Sequence, residues 1–150
     1  MNPPLRKEED RLACIEGLCD GTIDVIATDH APHHRDEKEV EYNSALSGIS
    51  GFETAFALCM DALVHAHHMT MEEFVQVACT NPAKILGKNC GKLEVGRDAD
   101  FIIADIAKEW TVDRKEFVSK GKNTPFDGRT VHGRVLETYV GGKRIYKYED

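Results

Sequence analysis

At 150 residues, 41% hydrophobic and 30% charged, the chain suits a soluble globular protein with one compact core or two small ones. A net charge of -7 with scattered Lys and Arg argues against a nucleic-acid or anionic-membrane surface, and no run of about 20 apolar residues is present to span a bilayer. Five dispersed cysteines (Cys14, Cys19, Cys59, Cys79 and Cys90) include no Cys-x-x-Cys pair, and no signal peptide opens the chain; reduced, buried thiols in a cytoplasmic protein are expected, without a cysteine zinc site.

In residues 7–18, Leu12, Ile15, Leu18 and Cys19 recur at helical spacing behind the acids Glu8, Glu9 and Asp10, which predicts a short amphipathic helix ended by Asp20-Gly21. The run Ile23-Asp24-Val25-Ile26-Ala27-Thr28 has the length and β-propensity of a buried strand, with Asp29 at its C-terminal end. Residues 31–50 show no sustained period and read as a loop, long enough to suggest that it lines a site. Residues 52–67 read as a largely apolar helix with Phe52, Phe56, Cys59 and Leu63 on one face. Thr70 and Glu73 then form a capping-box pattern, Asn81-Pro82 resembles an N-cap followed by Pro, and Gly87 marks a stop. From Gly91 onward, glycines punctuate β-prone runs, and Gly141-Gly142 has the spacing of a tight hairpin. So few alternations fall short of a complete α/β barrel of about 250 residues. The chain is expected to be an incomplete part, the rival being a small α+β protein.

The chemistry concentrates in Thr28-Asp29-His30-Ala31-Pro32-His33-His34. A carboxylate at the end of a buried strand stands where catalytic groups converge, and its oxygen can ligate a divalent ion or accept a proton from activated water. The neighbouring imidazoles can ligate metal or hold an anion. These residues alone leave a second reading open, in which Asp29 caps a turn and the histidines are solvated. His65, His67 and His68 are expected to be surface residues at a helix end, Asp98 and Asp100 to shape a turn, and Trp110 to pack.

Spaced motifs together resemble the dihydroorotase family of cyclic amidohydrolases: Asn2-Pro3-Pro4-Leu5-Arg6, Ile26-Ala27-Thr28-Asp29-His30-Ala31-Pro32-His33 and Gly48-Ile49-Ser50-Gly51-Phe52-Glu53-Thr54-Ala55. Asn81-Pro82-Ala83-Lys84, Gly96-Arg97-Asp98-Ala99-Asp100 and Asn123-Thr124-Pro125-Phe126 follow in order, so the resemblance covers most of the chain. It implies an α/β fold: residues 1–90 would be the C-terminal portion of a TIM-type (β/α)8 barrel, and residues 91–150 part of a small β-sandwich. It also implies zinc, with Asp29 as metal ligand and general base, and Asn2, His33, Ser47 and Gly48 as substrate-binding positions. The implied reaction is reversible ring opening of dihydroorotate to N-carbamoyl-aspartate, in pyrimidine biosynthesis.

The family's His-x-His pair and other metal ligands come from earlier strands, and His65-Ala66-His67 lies in a helix and does not replace them. The chain alone is therefore expected to be inactive. Hydantoinase, dihydropyrimidinase or allantoinase activity is the enzymatic alternative. A non-catalytic module, either an inactive subunit that stabilises a partner such as aspartate transcarbamoylase or a structural remnant, is the alternative from another class, and open barrel edges would invite assembly into a homo-oligomer.

Overall fold

The computed structural model describes residues 2–3 and 6–149; Met1, Pro4, Leu5 and Asp150 lie outside the described residues. Of the first motif it therefore describes Asn2, Pro3 and Arg6.

Helix α1 (Glu8–Cys19) starts where the Asp10 carboxylate accepts the Lys7 N–H at 3.0 Å, and its acidic first turn suits the helix dipole. It is less amphipathic than its spacing suggests. Ile15 is buried and Leu18 partly so, but Leu12 is 45% exposed. A short α2 (Arg35–Lys38) interrupts the expected loop. Helix α3 (Phe52–Cys59) runs on through a wider π-type turn, Met60–His65. The next helical stretch comprises α4 (Met71–Val75), a second π-type turn and α5 (Asn81–Ile85).

The capping box at Thr70 is present: Glu73 N–H donates to Thr70 Oγ1 at 3.2 Å, and Thr70 N–H donates to the Glu73 carboxylate at 2.7 Å. The Thr70 N–H and the Thr70 hydroxyl, both donating to it, hold the Glu73 carboxyl below its usual pKa. Asn81, expected as a cap, continues the helix instead, and its amide donates to the Asp24 carbonyl at 2.8 Å.

The expected strand at residues 23–28 does not form a ladder among the described residues. A strand needs a neighbouring strand for its backbone groups. Here they go to helical segments, Ile23 N–H to Gly17 O at 2.7 Å and Ile26 N–H to Val77 O at 3.1 Å. Parallel pairing in this region is limited, among the described residues, to an isolated bridge between His30 and Ile49.

The sheet is antiparallel, in the order β1 (Phe101–Thr111), β2 (Thr130–Val140), β3 (Lys143–Lys147). Gly141 (φ 55) and Gly142 (φ 75) form its tight turn; two successive positive φ angles suit the right-handed twist of the flanking strands. Asp100 accepts the Gly141 N–H at 2.7 Å, so it shapes a turn as expected. A bulge in β1 is held by Asp105, which accepts Ala107 N–H and Lys108 N–H.

Helix α3 and its continuation join two cores. One gathers Ile15, Met60, Leu63, Met69, Phe74 and Val77; the other gathers Ala57, Val112, Phe117 and Val131. The buried face of α3 is thus centred on Ala57 and Met60, whereas Phe52 is 68% exposed and stacks on His30 at 3.9 Å. Trp110 packs at the second core and donates to the Gly133 carbonyl at 3.0 Å. No helix among the described residues is long and apolar enough to cross a membrane.

Candidate active-site groove

An open groove of about 850 Å³ lies beside α1 and is lined by Asn2, Asp29, Ser47 and Gly48, with Arg6 and Arg11 contributing positive charge. Four of the five positions singled out from sequence therefore share one concavity. His33, the fifth, stands behind it. Its Nε2 meets the Ser47 carbonyl at 2.8 Å, and since a carbonyl only accepts, Nε2 carries the hydrogen. Its Nδ1 is 3.5 Å from Glu37 Oε2.

Asp29 is exposed and has φ 44, a left-handed conformation that Asp adopts more readily than most side chains. The turn is fixed on its far side by Ala31 N–H, which donates to Ile49 O at 2.9 Å, and by His30 N–H, which donates to Thr28 Oγ1 at 3.3 Å. Its carboxylate has no hydrogen-bond or ion-pair partner among the described residues, and Asp29 lines the groove.

The adjacent histidines are occupied otherwise. His30 Nδ1 accepts the N–H groups of Gly51 and Phe52 at 3.0 and 3.1 Å, which caps α3. His34 Nδ1 accepts the Asp36 N–H at 3.3 Å and caps α2. Their sequence proximity to Asp29 reflects helix initiation, a role hidden in sequence because His30's partners lie 21 and 22 residues away.

The loop facing Asp29 is set by Asn123. Its amide donates to Gly48 O at 2.8 Å, its side-chain oxygen accepts His33 N–H at 3.4 Å, and its carbonyl accepts Ser50 N–H at 2.8 Å. Buried Ser50 also donates from its hydroxyl to Gly121 O at 2.5 Å. Gly48 (φ 135) suits this close approach, since a Cβ there would stand 2.6 Å from the Ala31 carbonyl. Asn123 sits in a motif noted from sequence, but no role attached to it there. Replacing Asn123 with Ala is expected to cost about 1–2 kcal/mol and to speed proteolysis within residues 40–48, as read by urea unfolding and limited digestion. Unchanged digestion would refute the tie.

Asp29 is a suitable donor for a divalent ion, but a catalytic zinc takes three protein ligands and one open position. No group of three His, Cys, Asp or Glu suited to a metal occurs among the described residues. The residues present thus fit a share of a metal site rather than a whole one. Elsewhere, His65 donates from Nε2 to Ile106 O at 2.8 Å, so it is anchored to β1 though exposed. His132 pairs with Asp61 at 2.9 Å, linking β2 to the helical layer. The cysteines are free but less buried than expected: four are exposed, and Cys59 is half-buried, its thiol pushed up in pKa by burial.

The amidohydrolase family model matches residues 2–145, and the chain belongs to that family. Its similarity to particular members is strong. It is 52% identical over 147 residues to the dihydroorotase of Acetivibrio thermocellus, covering 98% of this chain and 34% of that protein. The dihydroorotase of Ruminiclostridium cellulolyticum is 49% identical over the same length. Among solved structures, L-hydantoinase (dihydropyrimidinase) from Arthrobacter aurescens superposes with a TM-score of 0.90 at 34% identity, over 97% of this chain and 33% of that one. The chain spans about a third of the length of these relatives.

Proposed function

We propose that this chain supplies the C-terminal portion of a dihydroorotase-type cyclic amidohydrolase, which opens dihydroorotate reversibly to N-carbamoyl-aspartate. The observation that carries this reading is the meeting of Asn2, Asp29, Ser47 and Gly48 on one groove, in a chain half-identical to dihydroorotases. Residues 1–90 serve as the end of a (β/α)8 barrel and residues 91–150 as part of a β-sandwich. The remaining metal ligands come from the other two-thirds of such an enzyme.

Asp29 would be one of the groups holding a divalent ion, zinc in this reading, and that ion would supply Lewis acidity toward water and the amide carbonyl. Asp29 would accept a proton from the water that attacks the ring carbonyl and deliver it to the leaving nitrogen as the ring C–N bond breaks. Asn2 hydrogen-bonds the ring or its carboxylate, and the Ser47-Gly48 backbone meets the ring edge. His33 keeps the Ser47 carbonyl in place.

A specific feature favours a carboxylated ring over a neutral hydantoin. Arg6 lines the groove and has no ion pair among the described residues, whereas Arg11 is held by Glu8. An unpaired guanidinium suits a substrate carboxylate. The test combines this chain with the complementary two-thirds of the Acetivibrio thermocellus relative and assays dihydroorotate and dihydrouracil with zinc. The chain alone is expected to give no turnover, and the pair to prefer dihydroorotate. Turnover by the chain alone, or faster opening of dihydrouracil, would overturn the respective part of the reading.

A further inference from the structure

A second concavity, of about 420 Å³, shares no lining residue with the Asp29 groove. Four cations line it, Lys84, Lys88, Lys92 and Arg97, together with Thr80 and Cys90, and no carboxylate is among its lining residues. That concentration is notable in a chain of net charge -7, because like charges gathered on one surface repel. Glu94 answers part of it from outside, 3.8 Å from Lys92 and 2.7 Å from Arg97. Lys84 and Lys88 have no hydrogen-bonding or ion-pairing partner for their ammonium groups among the described residues.

The walls are tied together rather than loose. Thr80 Oγ1 donates to Gly91 O at 2.9 Å, Lys88 N–H donates to Ala83 O at 2.8 Å, and Arg97 Nη1 donates to Asn89 Oδ1 at 2.6 Å. These ties order the backbone of the pocket and the Arg97 fork, which lowers the entropy lost when an anion binds.

We propose that this pocket binds a compact polyphosphate anion. Lysine ammoniums are point charges suited to phosphoryl oxygens, and three of them with the Arg97 fork, even after the Glu94 charge is subtracted, exceed what a single carboxylate needs and suit a short phosphoryl chain. No aromatic side chain lines the pocket, so a nucleoside attached to that chain would not be stacked. Recognition rests on the phosphoryl groups alone.

The test uses the full chain and inorganic tripolyphosphate, with ATP as the nucleotide arm and citrate as the carboxylate arm. Occupancy is read by calorimetry and by the alkylation rate of Cys90, an exposed thiol in this pocket. Cys14, an exposed thiol lining the Asp29 groove, reports binding there instead. Tripolyphosphate is expected to slow alkylation of Cys90 by about tenfold with Cys14 unaffected, and to bind about tenfold more weakly when salt rises from about 20 to about 300 mM. ATP should match tripolyphosphate, and citrate should bind at least about tenfold more weakly.

The double substitution Lys84→Glu with Lys88→Glu should abolish protection, while Lys115→Glu, in the turn after β1 and outside the lining of this pocket, leaves it intact. Lys88→Gln, which only neutralises one charge, should weaken binding several-fold, and circular dichroism checks that each variant is folded. Protection of Cys14 rather than Cys90, saturable binding that survives the charge reversal in a folded variant, or ATP binding far tighter than tripolyphosphate would each overturn the proposal. None of these readouts depends on ring-opening activity.

Discussion

Changing Asp29 to Asn in the reassembled enzyme is expected to lower kcat by about 10²–10⁴-fold, the contribution typical of a positioned acid–base group. Asn is the informative replacement for a conformational reason. Residue 29 has φ 44, and Asn tolerates the left-handed region as Asp does, so the turn into His30 and the capping of α3 are preserved. Ala would add backbone strain and blur the result. Asn retains a side-chain oxygen but has neither the negative charge nor the basicity to take a proton. The carboxylate has no protein partner among the described residues, so the exchange leaves no protein donor orphaned and stability should change little. A variant that turns over at near wild-type rate would remove Asp29 from the chemistry. A variant that fails to fold would contradict the exposed, unpartnered carboxylate described above.

The largest expected loss of stability comes from Gly133→Ala. Gly133 has φ 97 in β2, and a Cβ there would stand 2.9 Å from Met60 Cγ and 3.2 Å from Phe56 Cε1. Met60 is fully buried, so it cannot yield toward solvent. Backbone strain of about 1–3 kcal/mol and overpacking of similar size combine to a cost of about 2–6 kcal/mol. For a domain of this length the thermal midpoint should fall by roughly 5–15 °C. Gly128→Ala separates the two causes: φ is 76 there, but nothing lies within 4 Å of the added carbon, so strain alone should cost about 1–2 kcal/mol. Urea midpoints for both variants at unchanged m-value test the comparison. Equal losses would mean that the contact between β2 and the helical layer is not as tight as described.

What could be read from sequence was local. The Thr70–Glu73 box spans four residues, the Gly141-Gly142 turn two, and both appear where expected because their chemistry is complete within the segment. The run at residues 23–28 looked like a strand because its composition is that of one, but a ladder depends on neighbours that composition does not reveal. The same limit hid His30, whose acceptor nitrogen serves N–H groups across the loop, and Asn123, whose side-chain amide reaches Gly48, 75 residues away. The grouping of Asn2, Asp29, Ser47 and Gly48 came from motif resemblance and not from periodicity. Arg6 stood inside a quoted motif, yet only its place on the groove distinguishes it from the ion-paired Arg11.

The stitching of Ser50 to Gly121 and of Gly48 to Asn123 also bears on the order in which the molecule assembles. These contacts close chain segments of 71 and 75 residues, whereas the helices and the terminal hairpin close within a few residues. Long closures lose more chain entropy before any contact is made, so they belong to the slow, late part of folding. The wall opposite Asp29 can then be completed during synthesis only after residue 123 has emerged, and the groove takes its shape late, long after Asp29 itself has been made.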